Sequence, residues 1–178
     1  MLNKHTQTYK DRKYTVVPYD AEWSEQYAVY AARIKNIFSE IQTEHIGSTS
    51  VPGMIGKPCI DVLVLINDLG TVEDHIDDMA EAGFEYAGQF VMPDSRLFRV
   101  MRDNTLIANI HFFPPQHVHV AEMLTLRDYL RSHPEEVQAY STLKLELHKN
   151  YPDDYASYRK YKDEYMDGLK NRASASDK

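Results

Sequence analysis

Residues 44–64 gather the side chains and backbone types that can handle a phosphate. A short run, Glu44-His45-Ile46, enters a loop of small residues, Gly47-Ser48-Thr49-Ser50 with Gly53 beyond. A second apolar run, Ile60-Asp61-Val62-Leu63-Val64, leaves it behind a single carboxylate. Small side chains let the backbone bend sharply and turn several N–H groups toward one point, which suits a phosphate or another anion. Asp61 is close enough in sequence to hold a divalent cation, Mg²⁺ or Mn²⁺, against that phosphate. Lys57 adds a positive charge between loop and strand. The same residues also suit an ordinary strand-to-helix turn, and no Gly-Lys-Ser/Thr ending follows to make a Walker loop. The company of Asp61 and Lys57 favours the phosphate reading. A carboxylate inside an apolar strand must be paired, hydrogen-bonded or metal-bound. Alternation puts Asp61, Leu63 and Leu65 on one face, and one acid among them falls short of the ligands that two-metal transfer requires.

His111 belongs to the run Thr105 to Phe113, where Asn109, His111 and Phe113 share a face. If this strand neighbours that of Asp61, His111 and Asn109 enter the same cleft, where a histidine can ligate a metal or move a proton. A satisfied core histidine is the alternative. Arg96 and Arg102 share a strand face with Phe98 and Val100, while Arg99 lies on the other. Arg96 and Arg102 could grip a triphosphate or pair with surface acids. Arg127 beside Asp128 could orient a cleft or form a helix-surface pair. Lys144 and Lys162 sit with Tyr140, Tyr155 and Tyr158 on what reads as a helical packing face with lysine heads at its rim. His117 and His119 read as surface.

The elements that must position these groups follow from periodicity and punctuation. Lys13 to Tyr19 reads as a first strand, and Asp20 caps a helix from Ala21 to about Ser39. Ile41 to Ile46 and Ile60 to Ile66 read as strands. Thr71 caps a helix through about Ala82, stopped by Gly83, and Phe84 to Tyr86 is a short strand or turn. Arg96–Arg102 and Thr105–Phe113 form a hairpin about Asp103-Asn104. Val118–Ser132, Pro134–Asn150 and Pro152–Lys170 read as helices, with Pro134 in a first turn. The expected architecture is α+β, a mixed sheet with helices packed on one face and a helical C-terminal segment. One domain is expected over residues 14–170, with flexible tails at 1–13 and 171–178.

Composition sets outer limits. The chain has 178 residues with a formal net charge of −7, a balance that argues against duplex nucleic acid as a partner. Its single cysteine, Cys59, excludes an internal disulfide and fits a reducing, cytoplasmic setting. No apolar run reaches membrane-spanning length, and the polar first residues do not resemble a signal peptide.

The motif from His45 to Met54, with Lys57-Pro58 and Ile60-Asp61-Val62, resembles the signature of the GrpB family. Asn109-Ile110-His111, Leu126 through Arg131 with His133-Pro134, Tyr140 with Leu143-Lys144, and Val17 through Asp20 with Trp23 extend the resemblance to nearly the whole chain. It implies the fold of polymerase-β-like nucleotidyltransferases. It also implies a phosphate loop at Gly47, Ser48, Thr49 and Ser50, a metal-binding strand at Asp61, and supporting roles for His45, Arg127, Asp128 and Lys144. Lys57 with Arg96 or Arg102 would add charge. In the wider superfamily the acid strand carries two carboxylates with a third on a later strand. Here Leu63 stands at the second position, and His111 is the later counterpart. The resemblance therefore implies a nucleotide or another phosphate-bearing small molecule as partner, with Mg²⁺ or Mn²⁺. Two activities follow as expectations: nucleotidyl transfer by a divergent enzyme, or binding of a nucleotide, a CoA species or a protein without chemistry. Relatives fused to dephospho-CoA kinase suggest a fold-assisting role as a further possibility.

Overall fold

The computed structural model describes residues 13–89, 92 and 94–176. The expected tail over residues 1–12 lies outside them, as do residues 177 and 178. The domain expected over 14–170 is organised as two compact units: a sheet unit, Asp20–Ser50 with Cys59–Leu124, and a helical unit of residues 13–19, Val51–Pro58 and 125–176.

In the sheet unit, α1 (Glu22–Ile37) starts where the Asp20 carboxylate accepts the Glu22 N–H at 2.9 Å, so Asp20 caps as its residue type predicts. Five strands follow: β1 (Gln42–Ile46), β2 (Ile60–Leu65), β3 (Glu85–Gly88), β4 (Arg96–Arg102) and β5 (Thr105–Phe113). Their spatial order is β1-β2-β5-β4-β3, with β2 and β5 parallel and the other pairs antiparallel. Val62, Val64, Ile110, Phe112 and Phe98 face α1 and are fully buried. Aromatic edges lock this layer, Phe38 and Phe98 each lying across Phe112.

Two sequence expectations change here. The helix expected from Thr71 to Ala82 is two short ones, α2 (Leu69–Asp74) and α3 (Ile76–Glu81), and Asp68 rather than Thr71 caps the first by accepting the Gly70 N–H. The break falls at His75, whose ring Nδ1 donates to the Thr71 carbonyl at 2.8 Å while its own N–H turns to Val72. A side chain has taken the carbonyl that the next helical bond would use. The β4–β5 hairpin turns at Asp103 and Asn104, both at positive φ, as a two-residue turn demands. Beyond Met101↔Leu106 the register shifts, so that Val100 pairs with Ala108 and Ile107 is the extra residue.

In the helical unit, the second half of α4 (Val118–Ser132) joins α5 (Pro134–Asn150) and α6 (Tyr155–Ser176). Val51 and Met54 of the loop pack with Leu130, Val137, Tyr140 and Leu169. The strand expected over Lys13–Tyr19 is reduced to one bridge, Val17 with Gly56, because a short loop is the partner it meets. α6 starts later than Pro152 and continues past Lys170. Ala173 is buried, and the Arg172 guanidinium forks onto Glu136 at 2.6 and 3.0 Å. Residues 171–176 are therefore helix rather than tail.

Within the sheet unit, Leu63 is fully buried on the face opposite α1, packed with Ile46, Leu65, Phe113 and Val120 of α4. A carboxylate there would give up apolar contact with all four of these residues. Leu63→Asp is expected to lower unfolding free energy by about 3 kcal/mol or more, and Leu63→Met by less than about 1.5 kcal/mol, as read from denaturant melts.

Candidate functional site

The chemistry-bearing residues of the sheet unit meet on the face away from α1. Cross-strand pairing sets one row, Ile46, Asp61, Asn109 and Arg99, and the next row holds Glu44, Leu63, His111 and Leu97. Parallel pairing of β2 with β5 thus brings Asn109 and His111 into the Asp61 cleft, the condition on which their role depended.

Asp61 is the centre. Asn109 Nδ2 donates to its Oδ1 at 2.9 Å, and His111 Nε2 approaches the same oxygen at 3.4 Å. The side chains of Asp61 and His111 stay 28% and 17% exposed, so a ligand can reach both. Gly47 closes over the other oxygen. Its φ is +74°, and a Cβ there would lie 2.6 Å from Asp61 Oδ2. The loop needs glycine twice, for its left-handed backbone and for this approach.

The rest of the loop is held from within. Ser48–Ser50 forms a single 3₁₀ turn, with the Ser50 hydroxyl and N–H both donating to the Gly47 carbonyl. Thr49 Oγ1 sits 2.9 Å from His45 Nε2, and the His45 ring stacks on Tyr27 of α1 at 4.7 Å. Thr49, Ser50 and His45 are buried, and Gly47 and Ser48 are the loop residues that reach solvent. His45 therefore supports the loop from the α1 side.

The expected arginines do not join this face. Arg96 lies on the α1 side, largely buried, with Nη2 2.7 Å and Nε 2.8 Å from Glu73 Oε1 and with Nη1 donating to the Ser95 carbonyl. Arg102 is exposed at the hairpin turn beside Thr105, within electrostatic reach of Tyr30 on α1. The arginine in the Asp61 row is Arg99. The cause is the bulge: an unshifted two-residue hairpin would set Arg96 opposite His111, and the extra Ile107 moves Arg96 opposite Phe112 and Arg99 opposite Asn109. The two-residue turn was readable in the sequence; the bulge carried no signal there.

The profile for the GrpB protein family matches residues 13–172. The chain belongs to the GrpB family. It is 33% identical to a UPF0157 protein of Streptomyces coelicolor over 89% of this chain and 83% of that one. It is 31% identical to the UPF0157 protein YqkA of Bacillus subtilis, again over 89% of this chain but spanning only 46% of that protein. Conserved protein GrpB from Enterococcus faecalis superposes with a TM-score of 0.84 at 31% identity, covering 89% of this chain and 96% of that one. The Cid1 poly(U) polymerase, solved with Mg 3′-dATP bound, superposes with a TM-score of 0.52 at 15% identity over 82% of this chain and 45% of that one. The fold is thus that of polymerase-β-like nucleotidyltransferases, in an α+β arrangement.

That fold implies metal ions, and the residues of this GrpB chain do not fit a pair of them. Leu63, where the resemblance would put a second acid, lies in an apolar cluster. Asp61 Oδ1 accepts an amide N–H, and Glu44 accepts from Gln42 at 3.0 Å. Among the described residues no three His, Cys, Asp or Glu side chains converge as a metal site.

The remaining expected residues belong to the helical unit. On α4 the Arg127 side chain is largely buried and its Nε donates to the exposed Asp128 carboxylate at 2.7 Å, a contact that holds the Asp128 carboxyl below its ordinary range. Lys57 Nζ donates to the Tyr155 hydroxyl. Lys144 is 1% exposed, its Nζ 4.2 Å from the Tyr140 ring centroid. Burial first, then Lys162 and Lys57, pushes its ammonium down to about 7. Burial also raises the Tyr140 and Tyr158 hydroxyls.

Two outcomes follow. Gly47→Ala is expected to cost about 1–3 kcal/mol; in an Asp61→Ala background the cost falls, because the close contact is gone. A double-mutant cycle in urea reads the coupling. For Lys144, the folded value lies below the ordinary 10.5. Between about pH 7 and 10.5 the unfolded chain therefore holds a proton that the folded one lacks, and stability rises with pH across that window. Lys144→Met is expected to be more stable than wild type at pH 6, by about 2–4 kcal/mol, with the gap closing toward pH 10 in melts across pH.

Proposed function

We propose that this chain binds a phosphate-bearing nucleotide on the Asp61 face, as a binding module built on a nucleotidyltransferase fold. The observation that carries the reading is the Gly47 loop closed over the Asp61 carboxylate, with Asn109 and His111 on the adjoining strand. The loop is braced from behind by Thr49 and His45, so Gly47 and Ser48 are presented without a cost of ordering them on binding. The burial of Leu63 in an apolar cluster favours binding over two-metal transfer. A phosphate on this face, a CoA species included, meets backbone and hydroxyl donors at Gly47 and Ser48.

A second reading, nucleotidyl transfer, is favoured by the Asp61–His111 contact, which sets an imidazole where a proton can be taken from an acceptor hydroxyl. In that reading Mg²⁺ or Mn²⁺ would enter with the phosphates and find one carboxylate, Asp61.

A thermal-shift panel separates these. ATP, GTP, CTP, UTP and CoA are each tested with and without Mg²⁺ or Mn²⁺ on wild type and Asp61→Asn. The binding reading expects a rise of about 5–10 °C at a hundredfold excess over Kd, largely surviving Asp61→Asn. Transfer expects a shift that needs the metal and is lost in Asp61→Asn. A flat panel on wild type overturns both.

A further inference from the structure

A phosphate beside Gly47 brings negative charge toward Asp61, so the face needs a positive charge to hold both. Two-metal enzymes meet this need with cations, and Leu63 closes that route here. The register supplies a different source. The β5 bulge sets Arg99 in the row of Asp61, with Asn109 between them. Two strand spacings separate the backbones, roughly 10 Å, and an arginine side chain spans one of them. Among the described residues paired by these ladders on this face, Arg99 is the one that carries a permanent positive charge. It is half-buried, in surroundings where a charge-assisted hydrogen bond is stronger than at an exposed site.

We propose that Arg99 is the cation that receives a ligand phosphate on the Asp61 face, in the place of a second metal ion. The assignment rests on the reading of this face as a phosphate site and adds which side chain holds the anion. The planar guanidinium offers two parallel N–H donors to two phosphate oxygens. Asn109, fixed by its bond to Asp61 Oδ1, keeps the carboxylate turned toward β5, and Gly47 caps its other oxygen. A polyphosphate has the length to meet Gly47 and Ser48 with one phosphate and Arg99 with another. Binding of a polyphosphate by this face is then independent of a divalent ion. The competing role for Arg99 is a cross-strand pair with Glu85, its registered neighbour on β3. Such a pair would set the stability of the free protein and leave ligand affinity alone.

Isothermal titration calorimetry with inorganic tripolyphosphate, in EDTA and in Mg²⁺, tests this on wild type, Arg99→Ala, Arg99→Lys and Arg33→Ala. Arg33 is an exposed arginine on α1 and serves as the charge-matched control. Wild type is expected to bind in EDTA. Arg99→Ala is expected to weaken Kd about tenfold or more, Arg99→Lys to fall between, and Arg33→Ala to match wild type. If Arg99→Ala fails to fold, Arg99→Met and Arg99→Lys make the same comparison. Equal affinity in the Arg99 variants overturns the assignment and leaves the phosphate site standing. Binding that appears only with Mg²⁺ also overturns it. A wild type that binds neither tripolyphosphate nor any nucleoside triphosphate in either buffer removes the phosphate site itself.

Discussion

A single carboxylate on an otherwise apolar strand constrains this fold more than any other group. Asp61 stands in the second of five strands, flanked by Ile60 and Val62, which are almost fully buried. An ionised group there must find donors or water. It finds an amide from Asn109 and the edge of His111. Meeting that need requires β5 to lie beside β2 in parallel register, which in turn requires a crossover through two helices and a hairpin. The other oxygen requires a residue without a side chain above it, and Gly47 fills that place. The hydroxyls of Thr49 and Ser50 then turn inward, toward His45 and Gly47, and stiffen the turn.

The apolar neighbour of Asp61 on the same face matters as much as the donors. Leu63 ties β2 to the first turns of α4 through Phe113 and Val120. Leu63, two residues after Asp61 on the same face, is part of a core, so the family fold holds together around this position through packing. Fold and activity are separable in this way because packing tolerates an apolar residue where coordination does not.

The helical unit holds a different kind of buried charge. Lys144 lies against the Tyr140 ring inside a tyrosine-rich core, with Lys57 and Lys162 in electrostatic range. Burial of an ammonium beside like charges works against stability, and the packing of Tyr140 with Val51, Met54, Leu130 and Leu169 offsets it. The cation–π contact offsets part of that cost.

By itself the sequence determined the types of the elements from Asp20 on, the cap at Asp20, the two-residue turn at Asp103-Asn104, the small-residue loop and the acid strand, but not the first strand, which is a single bridge, nor the division of the helix at His75. What it determined is in each case a local property of spacing and residue chemistry. It also set Asn109 and His111 on one face, because alternation along a strand needs no partner. The tertiary structure decided what crosses from one element to the next. The break at His75 depends on a ring reaching a carbonyl one turn away, and the ordering of residues 171–176 depends on Glu136 in another helix. Most consequential is the single extra residue in β5. It exchanges Arg96 for Arg99 on the Asp61 face, since a one-residue slip in a ladder reverses every side chain beyond it. Periodicity within a strand is written in the sequence, whereas register between strands is settled by the sheet as a whole.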